Sequence, residues 1–325
     1  MGLRGVTGTI MLPLVSLVAT VFGFVPKLIC SDVDGTLLTP AHTVSERTVS
    51  TVLRAMDRVP FCACTGRGRA GAYRALGPIG DRLMREGAAG VFLNGLLVYG
   101  PGGEELIFEQ RLPMEVVLDV ADFAAEQKGS LTAFSGDRIL CNKRDQYTDI
   151  LVAYRDPTPI AAGPWQRIAA DEPVNKLIIL APRERVLELR PLLAARLGDS
   201  ASITQAVPEM LEVLPRGGSK GTGVRALLER TGIAAADMMA MGDAENDIGM
   251  LELAGLSVAM GNAADAVKAI AQHVTATNVD DGAADAIEKH VLRYFSFFFF
   301  SKVPPALPPL QRRIRWHNTT RGSRN

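Results

Sequence analysis

The chain has 325 residues, 47% of them hydrophobic and 22% charged, which excludes a disordered or fibrous protein and leaves room for one large domain or two ordinary ones. Lys and Arg total 35 and Asp and Glu total 35, so the balance offers no electrostatic case for nucleic-acid binding, and none is expected. Four cysteines exclude a disulfide scaffold.

Residues 1–26 carry one charge, Arg4, and no acid, with an apolar stretch from Thr9 to Phe24 broken by Pro13 and Ser16. This stretch is too short for a spanning helix. Its composition fits a targeting segment, an uncleaved anchor or a wrongly chosen start codon, and stable membrane insertion is expected only if it is an anchor.

From residue 27 onward, strands and helices alternate. Lys27–Asp32 is a short apolar run ending in acids. Thr43 and Glu46 then form a capping-box pattern ahead of Val49, Val52, Leu53 and Met56, which recur at helical spacing. Val59–Cys64 reads as a second buried strand, stopped by Thr65-Gly66. Cys62 and Cys64 share one face of it; they read as small buried hydrophobes, with redox or metal use as the alternative.

The span 98–205 has looser alternation, several prolines, a strand at Lys176–Leu180 and a helix from Glu184 to Leu197. It reads as a second α/β unit inserted into the first. Beyond it, Ser219 caps a helix carrying Val224, Leu227 and Leu228 and closed by Gly232. A strand at Asp237–Met241 runs into Gly242-Asp243, followed by a helix closed by Gly255. Ser257–Met260 and Val274–Thr277 read as two further strands. Strands separated by helices imply a mostly parallel, doubly wound, Rossmann-like sheet. The expected organisation is a core of 27–97 and 206–295, an α/β cap of 98–205, and a tail, 296–325, of four consecutive phenylalanines, prolines and six basic residues that has no core periodicity and is expected to be disordered.

Open parallel sheets bind ligands beyond the carboxyl ends of their strands. Asp32, Asp34, Gly35 and Thr36 follow the first strand, and Thr65, Gly66 and Arg67 the second. Lys220 opens a helix, and Gly242, Asp243, Asn246 and Asp247 follow another strand. Two calcium-loop readings fail on spacing. An EF-hand needs Gly at its sixth position and Glu at its twelfth. Counted from Asp32, Gly35 is fourth; counted from Asp243, those places hold Ile248 and Ala254. A solvated acidic face does not explain acids placed directly behind apolar strands. The glycines Gly66, Gly68 and Gly71, with Glu86 further on, resemble a dinucleotide fingerprint and make a nucleotide-dependent oxidoreductase the alternative from another class. That reading leaves the other rim acids without a role.

Asp32-Val33-Asp34-Gly35-Thr36-Leu37-Leu38 resembles the first motif of the haloacid dehalogenase superfamily. Thr65-Gly66-Arg67 resembles the second, in its Cof-type sugar-phosphatase branch, Ser219-Lys220-Gly221 the third, and Gly242-Asp243-Ala244-Glu245-Asn246-Asp247 the fourth. Ala259-Met260-Gly261-Asn262-Ala263 and Asn278-Val279-Asp280-Asp281-Gly282 are similar to its closing segment. Departures are Cys64, where Ala is commoner, and Gly249, where Pro is frequent. The resemblance implies a core with an inserted α/β cap and a magnesium-dependent phosphatase acting on a small phosphorylated metabolite, a phosphosugar or similar monoester. Asp32 is then the nucleophile and Asp34 the general acid and base. The metal is held by Asp32, the Asp34 carbonyl, Asp243 and Asp247. Thr65, Gly66, Lys220 and Asn246 bind the phosphoryl group. A sugar phosphomutase of the same superfamily is the nearer alternative.

Overall fold

The structure, a computed structural model, describes residues 24–293. The N-terminal apolar stretch to residue 23 and the expected tail lie outside the described residues. Two sheets organise what is described.

The larger sheet has the order β14-β13-β12-β1-β2-β3-β4-β5. Its parallel strands are β1 (Leu28–Ser31), β2 (Phe61–Cys64), β3 (Gly90–Phe92), β12 (Met238–Gly242), β13 (Leu256–Ala259) and β14 (His273–Val274). Two antiparallel strands, β4 (Leu97–Tyr99) and β5 (Leu106–Glu109), finish one edge. Every residue of β1, β2 and β12 is buried, as a parallel sheet covered on both faces requires. One face packs on α1 (Glu46–Met56), α2 (Arg69–Leu76), α3 (Pro78–Glu86) and, later in the chain, Gly282–Ile287.

The smaller sheet has the order β10-β11-β9-β6-β7-β8, formed by β6 (Ser130–Ser135), β7 (Arg138–Cys141), β8 (Ile160–Ala161), β9 (Lys176–Leu180), β10 (Ala201–Thr204) and β11 (Met210–Pro215). It is antiparallel except at β7–β8. Alternation divides its strands between two environments. Leu177, Ile179, Leu211 and Val213 pack with α4 (Met114–Glu126), α6 (Trp165–Asp171) and α7 (Arg183–Leu197), while the short α5 (Ile150–Ala153) lies in the connection between β7 and β8. Ile178, Leu180, Met210 and Leu214 face the other way and join the core cluster of the larger sheet. The smaller unit is therefore seated on the larger one through its strand face.

The chain returns to the larger sheet with α8 (Lys220–Thr231), α9 (Ile248–Leu253), α10 (Asp265–Ile270) and α11 (Gly282–Ile287). Helices α8, α9 and α10 cover the second face, packing on Leu28, Cys30, Cys62 and Cys64. Helix α8 begins at Ser219, whose side chain accepts the Thr222 N–H, and ends at left-handed Gly232, as read from the sequence.

Several boundaries differ from the sequence reading. The cap of α1 is Ser45, whose side chain accepts the Thr48 N–H, rather than Thr43. Helix α9 stops at Leu253, before Gly255, and the last strand is only His273–Val274. Residues 97–99 and 106–109 pair into the larger sheet, and the smaller sheet runs on to Pro215, so the sheet boundaries depart from 98–205 at both ends. The looser alternation from residue 98 belongs to two antiparallel edge strands. Among the described residues, no helix is long and apolar enough to cross a membrane.

Candidate active site

Four neighbouring parallel strands, β12, β1, β2 and β3, end on the same rim, and each delivers a polar residue within two positions of its end: Asp243, Asp32, Thr65 and Asn94. The Asp32 N–H still donates to the Met241 carbonyl at 2.9 Å, so the ladder itself fixes its backbone. The residue is only 3% exposed.

Lys220, the first residue of α8, is buried with it. Its Nζ donates to Asp32 Oδ1 at 2.5 Å and to Asp247 Oδ1 at 2.6 Å. Burial alone would lower the ammonium pKa, but Asp247 and then Asp32 outweigh it and hold Lys220 charged. Asp32 is pushed upward by burial and then by the Asp247 charge, and Lys220 offsets only part of this. Asp247 is fully tied: its Oδ2 accepts the N–H groups of Asp243 and Ala244 at 2.9 and 3.0 Å. A β-carbon on Gly242 would lie 2.5 Å from the Asp247 carboxyl carbon, so this tight loop needs glycine there.

Asp243 accepts from the Thr36 hydroxyl at 3.0 Å and from Asn262 Nδ2 at 3.3 Å. Burial, then Asp247, pushes its carboxyl up to about 7. Gly35 has φ +75°, and a β-carbon there would sit 2.2 Å from Asp243 Oδ2, so the turn after Asp34 requires glycine on both counts. Oxygens of Asp32, Asp243 and Asp247 all lie within 4.8 Å of one another, an all-oxygen donor set of the kind a hard divalent cation takes.

Asp34 is held apart from this cluster. Arg67, 4% exposed, donates Nε to Asp34 Oδ2 at 2.7 Å and Nη2 to Oδ1 at 2.6 Å. The same guanidinium reaches the smaller unit through the Tyr154 carbonyl and, at 3.2 Å, Asp156 Oδ1. Burial pushes the Asp156 carboxyl up to about 6 despite Arg67. The Thr65 hydroxyl accepts the Arg67 N–H at 3.1 Å, which leaves its own proton to donate.

Asn246, expected at the phosphate, donates Nδ2 to Asn94 Oδ1 at 2.9 Å. Asn94 in turn donates to Glu212 Oε2 at 2.7 Å, and Lys176 donates to that same oxygen at 2.5 Å and to the Gly66 carbonyl at 2.8 Å. The carboxylate can only accept, so it fixes the Asn94 amide, and that fixes the Asn246 amide. Asn246 Oδ1 is left buried without a partner. One buried ion pair on the smaller sheet thus touches the loops after β2 and β3 directly and the loop after β12 through Asn94.

Of the site residues expected from the sequence, Asp32, Lys220, Asp243 and Asp247 meet directly. The Asp34 carboxylate is turned to Arg67, and Asn246 joins through Asn94. Asn94, Asp156, Lys176 and Glu212 were not anticipated. Asn94-Gly95 directly behind an apolar strand, and a lysine opening the apolar run Lys176–Leu180, were the available signals.

The family model for haloacid dehalogenase-like hydrolases matches residues 29–287. The chain is 36% identical over 266 residues to the chloroplastic endoribonuclease YBEY of Arabidopsis thaliana; that match covers 80% of this chain and 45% of the relative, so the chain spans less than half of that protein. It is 31% identical over 271 residues to the 5-amino-6-(5-phospho-D-ribitylamino)uracil phosphatase of Bacillus subtilis, covering 82% of this chain and 97% of that one. A haloacid dehalogenase-like hydrolase from Bacteroides thetaiotaomicron superposes with a TM-score of 0.72 at 28% identity, covering 81% of this chain and 99% of that structure. With its rim of acids behind parallel strands and a capping unit seated over them, the chain belongs to the haloacid dehalogenase-like hydrolases, among their Cof-type phosphatases.

Proposed function

We propose that this phosphatase hydrolyses a small phosphate monoester by a magnesium-dependent route through an aspartyl-phosphate on Asp32. The observation that carries the reading is Lys220 Nζ bonded at once to Asp32 and Asp247, with the Asp243 carboxylate alongside. The donor set fits the ion: Asp32, Asp243 and Asp247 offer hard oxygens within 4.8 Å of one another, with the Asp34 carbonyl as the further ligand. A bound magnesium ion would offset charge on the phosphoryl oxygens.

The chain's own groups do the rest. An Asp32 carboxylate oxygen attacks phosphorus, and the bond from phosphorus to the ester oxygen breaks. Asp34, protonated from solvent on the oxygen that Arg67 gives up, passes that proton to the leaving alkoxide, then takes one from the water that cleaves the acyl phosphate and restores Asp32. To act so, Asp34 exchanges one of its two bonds to Arg67 for the leaving-group oxygen. Lys220 and the free Thr65 hydroxyl proton hold the phosphoryl oxygens, assisted by the Gly66 amide and Asn246. Asp156 comes from the smaller unit beside Arg67 and Asp34, and this polar edge suits a hydroxylated leaving group such as a sugar.

Phosphate release is measured over a panel of phosphorylated metabolites, with and without magnesium, for the native chain and for Asp32→Asn. The expected result is release by the native chain with magnesium, falling about a thousandfold or more in a folded Asp32→Asn protein. Near-native turnover by Asp32→Asn would overturn the covalent route.

A further inference from the structure

Three of the four cysteines lie together beneath the catalytic rim, where the phosphatase chemistry does not use them. Cys30 and Cys62 are direct partners in the parallel pairing of β1 and β2. Cys64 lies two residues beyond Cys62, so it projects from the same face of β2. All three are fully buried in the layer under α8 and α9. The sulfurs of Cys62 and Cys64 are 3.7 Å apart, and the three sulfurs all lie within 4.8 Å of one another. Among the described residues, no His, Asp, Glu or further Cys joins the group.

We propose that Cys30, Cys62 and Cys64 form a binding site for one thiophilic, three-coordinate metal ion, of which copper(I) is the natural occupant. An ion centred in a plane of three sulfurs, with bonds of about 2.3 Å, holds those sulfurs about 4.0 Å apart. One pair stands at 3.7 Å and all three lie within 4.8 Å on two paired strands, so each sulfur need shift by less than about 1 Å to reach that spacing. Zinc in a protein site of this kind takes four ligands, and a fourth is missing. Soft thiolate donors with low coordination favour copper(I). Each thiol that becomes a thiolate ligand exchanges its S–H bond for a sulfur–copper bond and releases one proton to solvent. No electron is transferred. The ion would tie β1 to β2 immediately before Asp32 and Thr65. It is distinct from the magnesium site, whose ligands are all oxygens.

The test uses the full-length, reduced protein under anaerobic conditions, titrated with copper(I) against a coloured copper(I) chelator. Because the thiols are buried, one arm loads the folded protein and a second loads it during refolding. The expected result, in either arm, is one equivalent bound, ultraviolet thiolate-to-copper absorption, a raised melting temperature, and X-ray absorption showing three sulfurs at about 2.3 Å. Cys141→Ala, which removes the remaining cysteine on β7, should bind as the native chain does. Cys62→Ala and Cys64→Ala should each lose more affinity than the roughly 10–100-fold seen when an outer-shell partner is removed. Circular dichroism and phosphate release report whether each variant is folded. Failure of the native chain to bind in both arms overturns the proposal. So does a loaded native protein with fewer than three sulfur neighbours, a result that needs no variant, or binding that survives both substitutions.

Discussion

Glu212→Gln probes the tie between the smaller unit and the rim loops with almost no change of shape. Glu212 Oε2 accepts from both Lys176 and Asn94, so the glutamine carbonyl can occupy its place and keep both bonds, and only the charge is removed. The Asn94 bond falls from a charge-assisted one of roughly 1.5–3 kcal/mol to an ordinary one of about 0.5–1.5 kcal/mol, while the Lys176 bond keeps its charged donor and loses its charged acceptor. The Lys176 ammonium, 2% exposed, keeps only neutral acceptors. Breaking a buried ion pair by removing one partner costs about 3–5 kcal/mol; because the bonds survive here, about 3 kcal/mol is expected. At about 2.1 cal/mol/K per residue, that corresponds to roughly 5 °C in a protein of this size. Melting temperature is followed by scanning calorimetry, and KM and kcat by phosphate release. KM should rise as the Asn94–Asn246 relay loosens. Lys176→Met combined with Glu212→Gln should be more stable than Glu212→Gln alone, because no uncompensated charge remains. A loss under about 1 kcal/mol, or strict additivity in the double variant, would refute the reasoning.

Two further outcomes follow from Arg67. Arg67→Lys cannot fork onto both Asp34 oxygens and also reach Asp156, so kcat should fall about tenfold to a hundredfold while Lys220 and Asp32 remain paired; steady-state kinetics of the folded variant checks this. Burial holds Asp156 up at about 6, above its ordinary unfolded value, so the folded chain keeps this proton longer than the unfolded chain does. Its contribution to stability is therefore present below about pH 4 and declines as pH rises to about 6, and Asp156→Asn should flatten that stretch of the melting-temperature curve.

The rim acids were legible because their signal is local: an apolar strand, then an acid, in a fold whose strands end on one rim. The same locality accounts for Ser219 and Gly232 at the ends of α8. Glu212 and Lys176 were not legible. Thirty-six residues separate them, and the register of β9 against β11 makes them diagonal neighbours on the core-facing side. Periodicity places Lys176 beside Ile178 and Leu180, but only the docking of the smaller sheet shows that this face is buried against Gly66. The edge strands β4 and β5 were assigned to the insertion because antiparallel pairs lack the strand–helix rhythm that marks the core. Around α1, Thr43 and Ser45 both offer hydroxyls, and the choice depends on which one reaches a free N–H. The Asp34 carboxylate shows the limit of motif reading: its neighbours in sequence suggest the role proposed for it, while its partner in the structure, Arg67, comes from the loop after the next strand.

The raised pKa of Asp243 makes the magnesium affinity itself a reporter of the site. Metal ligands must be deprotonated, so a carboxyl at about 7 in the metal-free chain has to release its proton on binding. The sign is fixed. Below about pH 7 the folded, metal-free protein holds this proton and the ion competes with it; above that pH the competition ends. Affinity should therefore fall about tenfold per pH unit below 7 and level off above about 8. The folded-state pKa lies above the unfolded value, so in the metal-free protein this carboxyl's contribution to stability declines as pH rises from about 4 to 7. Magnesium should recover it, and the rise in melting temperature on adding magnesium should be larger at pH 8 than at pH 6. Calorimetric titration in two buffers of different ionisation enthalpy counts the protons: about one near pH 6 and few at pH 8. Asp243→Asn should weaken binding and abolish the proton release. Chelation with EDTA should stop turnover, and magnesium should restore it where calcium restores little, because calcium's longer bonds and higher coordination number disturb the in-line geometry of phosphoryl transfer. If Asp243 merely caps the turn before α9, a charge near a helix N-terminus is worth under about 1 kcal/mol. Asp243→Asn would then keep full activity, and magnesium affinity would not change with pH; either result removes Asp243 from the metal site.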